Sequence, residues 1–124
     1  VDATELKYQR LNTRAFIATK PSSLILVPII RTKTASMGHR DTEGEPRDPQ
    51  TFRIIELGAN TAPPIIQLTD GQQREADFWL LGEHDAVCEI NDFWVAEDGR
   101  VWEVGDIVRD NGYEMRALVS ERGK

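Results

Sequence analysis

The sequence predicts a mainly β protein: a small antiparallel β-barrel or sandwich with one N-terminal α-helix and a long polar loop. Three stretches carry that prediction. Residues 86–120 read as short apolar runs punctuated by Asp98-Gly99 and Asn111-Gly112, dipeptides that tolerate the positive φ of a two-residue type I′ connection. Residues 1–20 have helical spacing, with Pro21 as the exit. Between Lys33 and Pro49 the composition turns polar, with Gly38, Gly44, Pro46 and Pro49 set among charged residues. A connection of that length is uncommon inside a small domain unless it has a function or is disordered.

Taken in order, Asp2 or Thr4 can cap a helix running to about Thr19, with Glu5 in the first turn where the helix dipole favours an acid. Tyr8, Leu11, Ala15 and Ala18 form its apolar stripe and Lys7, Arg10 and Arg14 a basic one. Leu24 to Ile30 is a continuous apolar run and reads as a buried strand, with Pro28 pushing it toward an edge or a break. Gln50 to Leu57 is a strand through Phe52, Ile54 and Ile55. Ile65, Ile66 and Leu68 lead to Asp70-Gly71, a third hairpin dipeptide whose return strand carries Phe78, Trp79, Leu80 and Leu81.

Ala86, Cys88 and Ile90 then alternate as an apolar face. Phe93-Trp94-Val95 and Val101-Trp102 to Val104 follow, and Gly105 marks a bulge. On the last strand Tyr113, Met115, Ala117 and Val119 alternate with Glu114, Arg116 and Ser120, Leu118 being the exception. The expected total is one helix and about seven or eight strands in a single domain. It comprises a helix over 1–20, an extended loop over 34–49 and a meander over 50–120.

A chain of 124 residues suffices for one core. No apolar run approaches the roughly 18 residues that span a bilayer, so a membrane protein is not expected, and no signal peptide is visible in the first twenty residues. The lone Cys88 excludes an intrachain disulfide. Charge is segregated: residues 1–33 hold six Lys/Arg against two acids, so within a net charge of −6 the remainder carries −10. An acidic β-body is poorly suited to gripping duplex DNA, whose affinity comes mainly from neutralised phosphates.

No constellation in the sequence calls for chemistry. His39 and His84 lie far apart and no Cys/His spacing fits a metal, so no metal or cofactor is expected. Glu83-His84-Asp85 places an imidazole between two carboxylates, but sequence neighbours usually point apart. Cys88 reads as a buried small hydrophobe rather than a nucleophile. Trp79, Trp94 and Trp102 could stack single-stranded bases, as small barrels do; filling the core or a subunit interface is the stronger reading in an acidic body.

The order of parts resembles the head-to-tail stopper, or head completion, proteins of long-tailed actinobacteriophages. The matching stretches are Leu11-Asn12-Thr13-Arg14 with Phe16-Ile17-Ala18, Pro49-Gln50-Thr51-Phe52-Arg53, and Leu80-Leu81-Gly82-Glu83 with Asp85-Ala86. To these is added Gly99 to Ala117, with Val101-Trp102-Glu103-Val104 and Asn111-Gly112-Tyr113-Glu114-Met115-Arg116-Ala117. The resemblance implies a virion neck protein assembled in the host cytoplasm, with no enzymatic activity. It implies a homo-oligomeric ring, a dodecamer, between the portal with its head-tail adaptor and the tail terminator, in transient contact with packaged DNA.

Carried over by position, the channel loop is Thr34 to Pro49, with Thr34, Met37, His39, Arg40, Asp41, Glu43, Glu45 and Arg47, and it is expected to be disordered in the free monomer. Lys7, Arg10 and Arg14 would form a docking helix. A tail terminator or an adaptor is the neighbouring alternative, though both carry more helix. A small barrel binding single-stranded nucleic acid is the alternative from a different class.

Overall fold

A computed structural model of the chain describes residues 2–33, 38–58, 62–67 and 73–122. The fold is mainly β with one helix, α1 (Ala3–Thr19). Asp2 caps that helix, its carboxylate accepting from the Glu5 N–H at 2.8 Å. Which face it buries differs from the expectation. Thr13 and Ile17 are buried while Tyr8 and Leu11 stand 62% and 45% exposed. The helix lies over strands β4 (Gln50–Glu56) and β7 (Phe78–Glu83), which are set by later sequence, so local periodicity alone picked the wrong stripe.

The body is a six-stranded antiparallel sheet in the order β1-β4-β7-β10-β9-β8, adding β1 (Ser22–Leu24), β8 (Phe93–Val95), β9 (Val101–Val108) and β10 (Glu114–Glu121). It curls until its two edge strands nearly meet. Val27, just past β1, exchanges both backbone hydrogen bonds with Phe93 of β8, at 2.8 and 3.0 Å. This contact makes the sheet a nearly closed barrel. Leu26, Phe52, Leu80, Val104, Met115, Ala117 and Val119 fill it, all fully buried. The inward face read on the last strand, Met115, Ala117 and Val119, is buried as expected. The opposite face is not wet throughout: Ser120, expected there, is 2% exposed, its hydroxyl accepting from Arg74 Nη1. Phe78 packs edge-on to Trp102 with ring centroids 4.9 Å apart, and Trp94 lies 6.1 Å away.

Two strand pairs stand apart from the barrel. Strands β5 (Ile65–Gln67) and β6 (Gln73–Glu75) form one, so the return strand of this hairpin is β6. The Phe78–Leu81 run, expected in that role, instead pairs with β4 and β10, where its apolar residues are covered on both faces. The Asp70-Gly71 dipeptide lies outside the described residues. Ile66 of this hairpin reaches the outer face of the barrel and packs with Ala76 and Leu118, which explains why Leu118 breaks the alternation of its strand. The second pair, β2 (Ile29–Lys33) with β3 (His39–Glu43), occupies part of the expected loop. Residues 44–49 carry no strand.

The turns correct the sequence reading in detail. Gly99 and Gly112 have positive φ, 87° and 78°, but Asp98 and Asn111 do not, so neither dipeptide makes a type I′ turn. Ala96 and Arg100 bracket a three-residue loop in which the Gly99 N–H donates to the Ala96 carbonyl at 2.9 Å. The β9–β10 connection spans residues 109–113. Residues 84–92 are irregular rather than an alternating strand: Cys88 is buried but Ile90 is 53% exposed. The apolar run 24–30 is split by Pro28, and Ile25 and Ile30 are each 51% exposed.

Gly105 is the extra residue at the bulge, where the β9–β10 register slips between Leu118 and Val119. A Cβ there would lie 2.7 Å from Ile66 Cδ1 and closer still to its Cγ2. Gly105→Ala is expected to cost about 1–3 kcal/mol by overpacking, measured by urea unfolding. Adding Ile66→Ala should relieve the clash, so the double variant should lose less than the two single losses combined.

Candidate functional site: the β2–β3 arm and its anchor

The functional residues expected on the loop fall on the β2–β3 arm and on the segment that returns from it. Thr34 and Met37 lie outside the described residues. His39 pairs through its backbone with Lys33, and Arg40 with Thr32. Asp41 accepts from Arg31 Nε at 3.0 Å across the arm, and this carboxylate raises the Arg31 pKa further above its ordinary range. Both side chains are about half-exposed, so the pair contributes little to stability. Glu43, Glu45 and Asp48 are exposed. The Gly44 N–H donates to the Pro28 carbonyl at 2.8 Å and closes the base of the arm.

Arg47 behaves differently from its neighbours. Its Nε donates to Asp92 Oδ2 at 2.8 Å and its Nη2 to Asp92 Oδ1 at 3.2 Å, a bidentate pair in which the Asp92 side chain is 1% exposed and that of Arg47 19%. The carboxylate raises the Arg47 pKa, chiefly through that hydrogen bond. Asp92 Oδ2 also accepts from the Glu89 N–H, and the Arg47 N–H donates to the Leu26 carbonyl at 2.8 Å. Arg47 is therefore an anchor: it fixes the end of the polar segment to the barrel beside the Val27–Phe93 closure. Three residues on, the Gln50 side chain both donates to and accepts from the backbone of Val87, at 2.9 and 2.7 Å, tying the start of β4 to the irregular 84–92 segment.

On the helix, the three basic residues are divided. Lys7 is exposed, Arg10 Nε donates to the Gly112 carbonyl at 3.1 Å, and Arg14 Nε donates to Glu83 Oε1 at 2.8 Å. Two of the three thus tie α1 to the body. The anchor of the helix C-terminus was not legible in the sequence. Arg53 Nη1 donates to the Phe16 carbonyl at 2.8 Å and to Thr19 Oγ1 at 2.6 Å, and its guanidinium lies 3.8 Å from the centre of the Phe16 ring. A cation from β4 thereby satisfies the end of a helix whose own last turn has none. Arg53→Ala is expected to lower stability by about 1–2 kcal/mol, and Arg53→Lys to recover only part of it, because an ammonium cannot both bridge two acceptors and stack. Thermal unfolding of both variants checks this.

The remaining sequence candidates do not converge. Glu83 turns to Arg14, and the His84 carbonyl accepts from Arg109, with no hydrogen bond among the Glu83, His84 and Asp85 side chains. Trp94 is buried and Trp79 and Trp102 half-buried, on different strands, so the rings do not form one exposed platform. Among the described residues no three His, Cys, Asp or Glu gather in a way that could hold a metal. No helix there is long and apolar enough to cross a membrane. No family model, curated protein or solved structure matches the chain.

Proposed function

We propose that this chain is a structural virion protein, a head-to-tail stopper whose copies form a ring in the neck, close the portal channel over packaged DNA and offer the tail its docking face. The supporting observation is the arm itself. A nearly closed barrel carries a polar two-stranded excursion that packs on little of its own chain, and the base of that excursion is pinned by the bidentate Arg47–Asp92 pair. A rigid base with a solvated extension suits a task performed between copies, because neighbouring subunits supply the contacts that one subunit lacks. The returning segment is mainly acidic, since Glu43, Glu45 and Asp48 are exposed while Asp41 is engaged by Arg31. Acids facing a channel keep passing DNA from sticking.

Electron microscopy of the chain mixed with the adaptor and tail terminator rings of its own particle tests the reading. A single additional ring layer between them is the expected result. A chain that stays apart from both rings while oligonucleotide quenches its tryptophans in a salt-sensitive way would overturn it in favour of single-strand binding.

A further inference from the structure

Among the described residues the two edge strands are bridged at Val27 and Phe93 alone, and no backbone hydrogen bond joins the next outward-facing pair along the seam, Ile25 and Val95. Beyond the Val27–Phe93 bridge the two edge strands diverge, leaving a cleft of about 620 Å³ lined by Ser22, Ser23 and Leu24 on one side and Trp94 to Asp98 on the other, with Ile54 and Trp102 completing it. The register of β8 on β9 decides which groups face the cleft. Ala96 and Trp94 point their backbone at β9, as the Ala96–Arg100 hydrogen bond shows, so the N–H and C=O of Val95 point away, on the same side as those of Phe93. By the same alternation Ile25 presents its N–H and C=O on the side of Val27. The side chains of these two residues are 51% and 63% exposed, large apolar groups at an open sheet edge. At the mouth, Glu97 is an exposed carboxylate with no ion pair among the described residues, whereas Asp98 lies 3.5 Å from Arg100.

Strand β2 has the matching features. The Pro28–Gly44 hydrogen bond places Pro28, Ile30 and Thr32 in pairs bonded to β3, so Ile29 and Arg31 turn their backbone N–H and C=O outward along a free edge. Ile30 is 51% exposed, and the strand reads Ile-Ile-Arg-Thr-Lys, apolar then basic. A two-stranded ribbon with no third strand is marginal by itself, and a free edge pairs with whatever unpaired edge it meets.

We propose that the open seam between β1 and β8 is a binding site for an extended strand, and that its occupant is the β2 strand of a second copy of this chain. Main-chain hydrogen bonds between the outward Ile29 and Arg31 groups and those of Val95 supply the pairing, with β3 kept on the other edge of β2. The Ile29-Ile30 end covers Trp94 and Trp102, and Arg31, half-exposed beside Asp41, meets Glu97. Residues 44–49 and the Arg47 anchor take no part in the pairing, and the contact holds or fails independently of what the assembly is for.

Cysteine cross-linking between separately labelled chains tests the contact, in full-length protein with Cys88→Ala. One chain carries Val95→Cys, and the other carries Ile29→Cys, Ile30→Cys or Arg31→Cys in turn. At least one arm position is expected to form the mixed disulfide tenfold faster than with a control chain carrying Val87→Cys, which at 53% against 63% is comparably exposed but off the seam. Adding Glu97→Arg to the Val95→Cys chain should slow that cross-link several-fold. Rates equal to the control at all three positions would overturn the proposal, whether or not the chain forms rings, and an undiminished rate with Glu97→Arg would overturn its electrostatic part. Circular dichroism of each single variant confirms that the exposed substitutions leave the fold intact.

Discussion

Arg47→Ala is expected to destabilise the protein by about 3–5 kcal/mol, the range for breaking a buried ion pair from one side. The reason lies in what is left behind. The Asp92 side chain is 1% exposed, and with Arg47 gone its carboxylate keeps only the Glu89 N–H as a close donor. Arg47 itself, on the polar segment, loses little by reaching water. Equilibrium urea unfolding measures the loss, and the midpoint should fall without a change in slope if the barrel stays intact. Asp92→Ala should cost a similar amount, because it also strips an acceptor from the Glu89 N–H. Replacing both residues by apolar ones of similar volume, Arg47→Met with Asp92→Leu, is expected to recover most of the loss, since the pair's net value is far smaller than the penalty for orphaning one member. Limited proteolysis supplies a second reading. Release of the segment from Leu26 and Asp92 should open residues 44–49 to cleavage well before global unfolding.

Cys88 should resist alkylation at pH 8 roughly a thousandfold more than the same residue in urea-unfolded chain, because thiolate is the reacting form. Burial pushes this thiol from an ordinary 9.0 up to about 12, with the Asp92 carboxylate adding to the effect. Its 4% exposure slows access further. The same shift makes stability depend on pH in a defined direction. The folded state binds the thiol proton more tightly than the unfolded state, so the contribution is fully present below about pH 9 and is lost as pH rises toward 12. Between pH 8 and 10.5 the wild type should lose about 2 kcal/mol more than Cys88→Ala, a difference that cancels the lysine and tyrosine titrations common to both. Equal losses in the two proteins would show that the thiol does not titrate differently on folding.

Charge, capping and strand patterning were legible because each is a property of neighbouring residues. Asp2 as one of two candidate helix caps, Pro21 as the helix exit, Pro28 as an edge or break in the apolar run and Gly105 as a bulge all follow from local backbone rules, and the fold realises the Asp2 cap, the break and the bulge. It also realises the inward face of Met115, Ala117 and Val119. The dipeptides at 98–99 and 111–112 marked hairpins correctly but not their type, because turn type depends on the strand register that the turn must join.

By itself, then, the sequence determined a mainly antiparallel β protein with one capped N-terminal helix, its charge segregation and most of its strand positions. Only the tertiary structure decided which stripe of the helix is buried, that β7 sits between β4 and β10, and that Leu118 is covered by Ile66. It also decided that Arg47 and Arg53 serve as anchors, through partners 45 and 37 residues away. Periodicity states that a face is apolar but not what covers it, and a guanidinium on an exposed-looking segment gives no local sign of the carboxylate or carbonyl that the closing barrel brings within hydrogen-bonding distance.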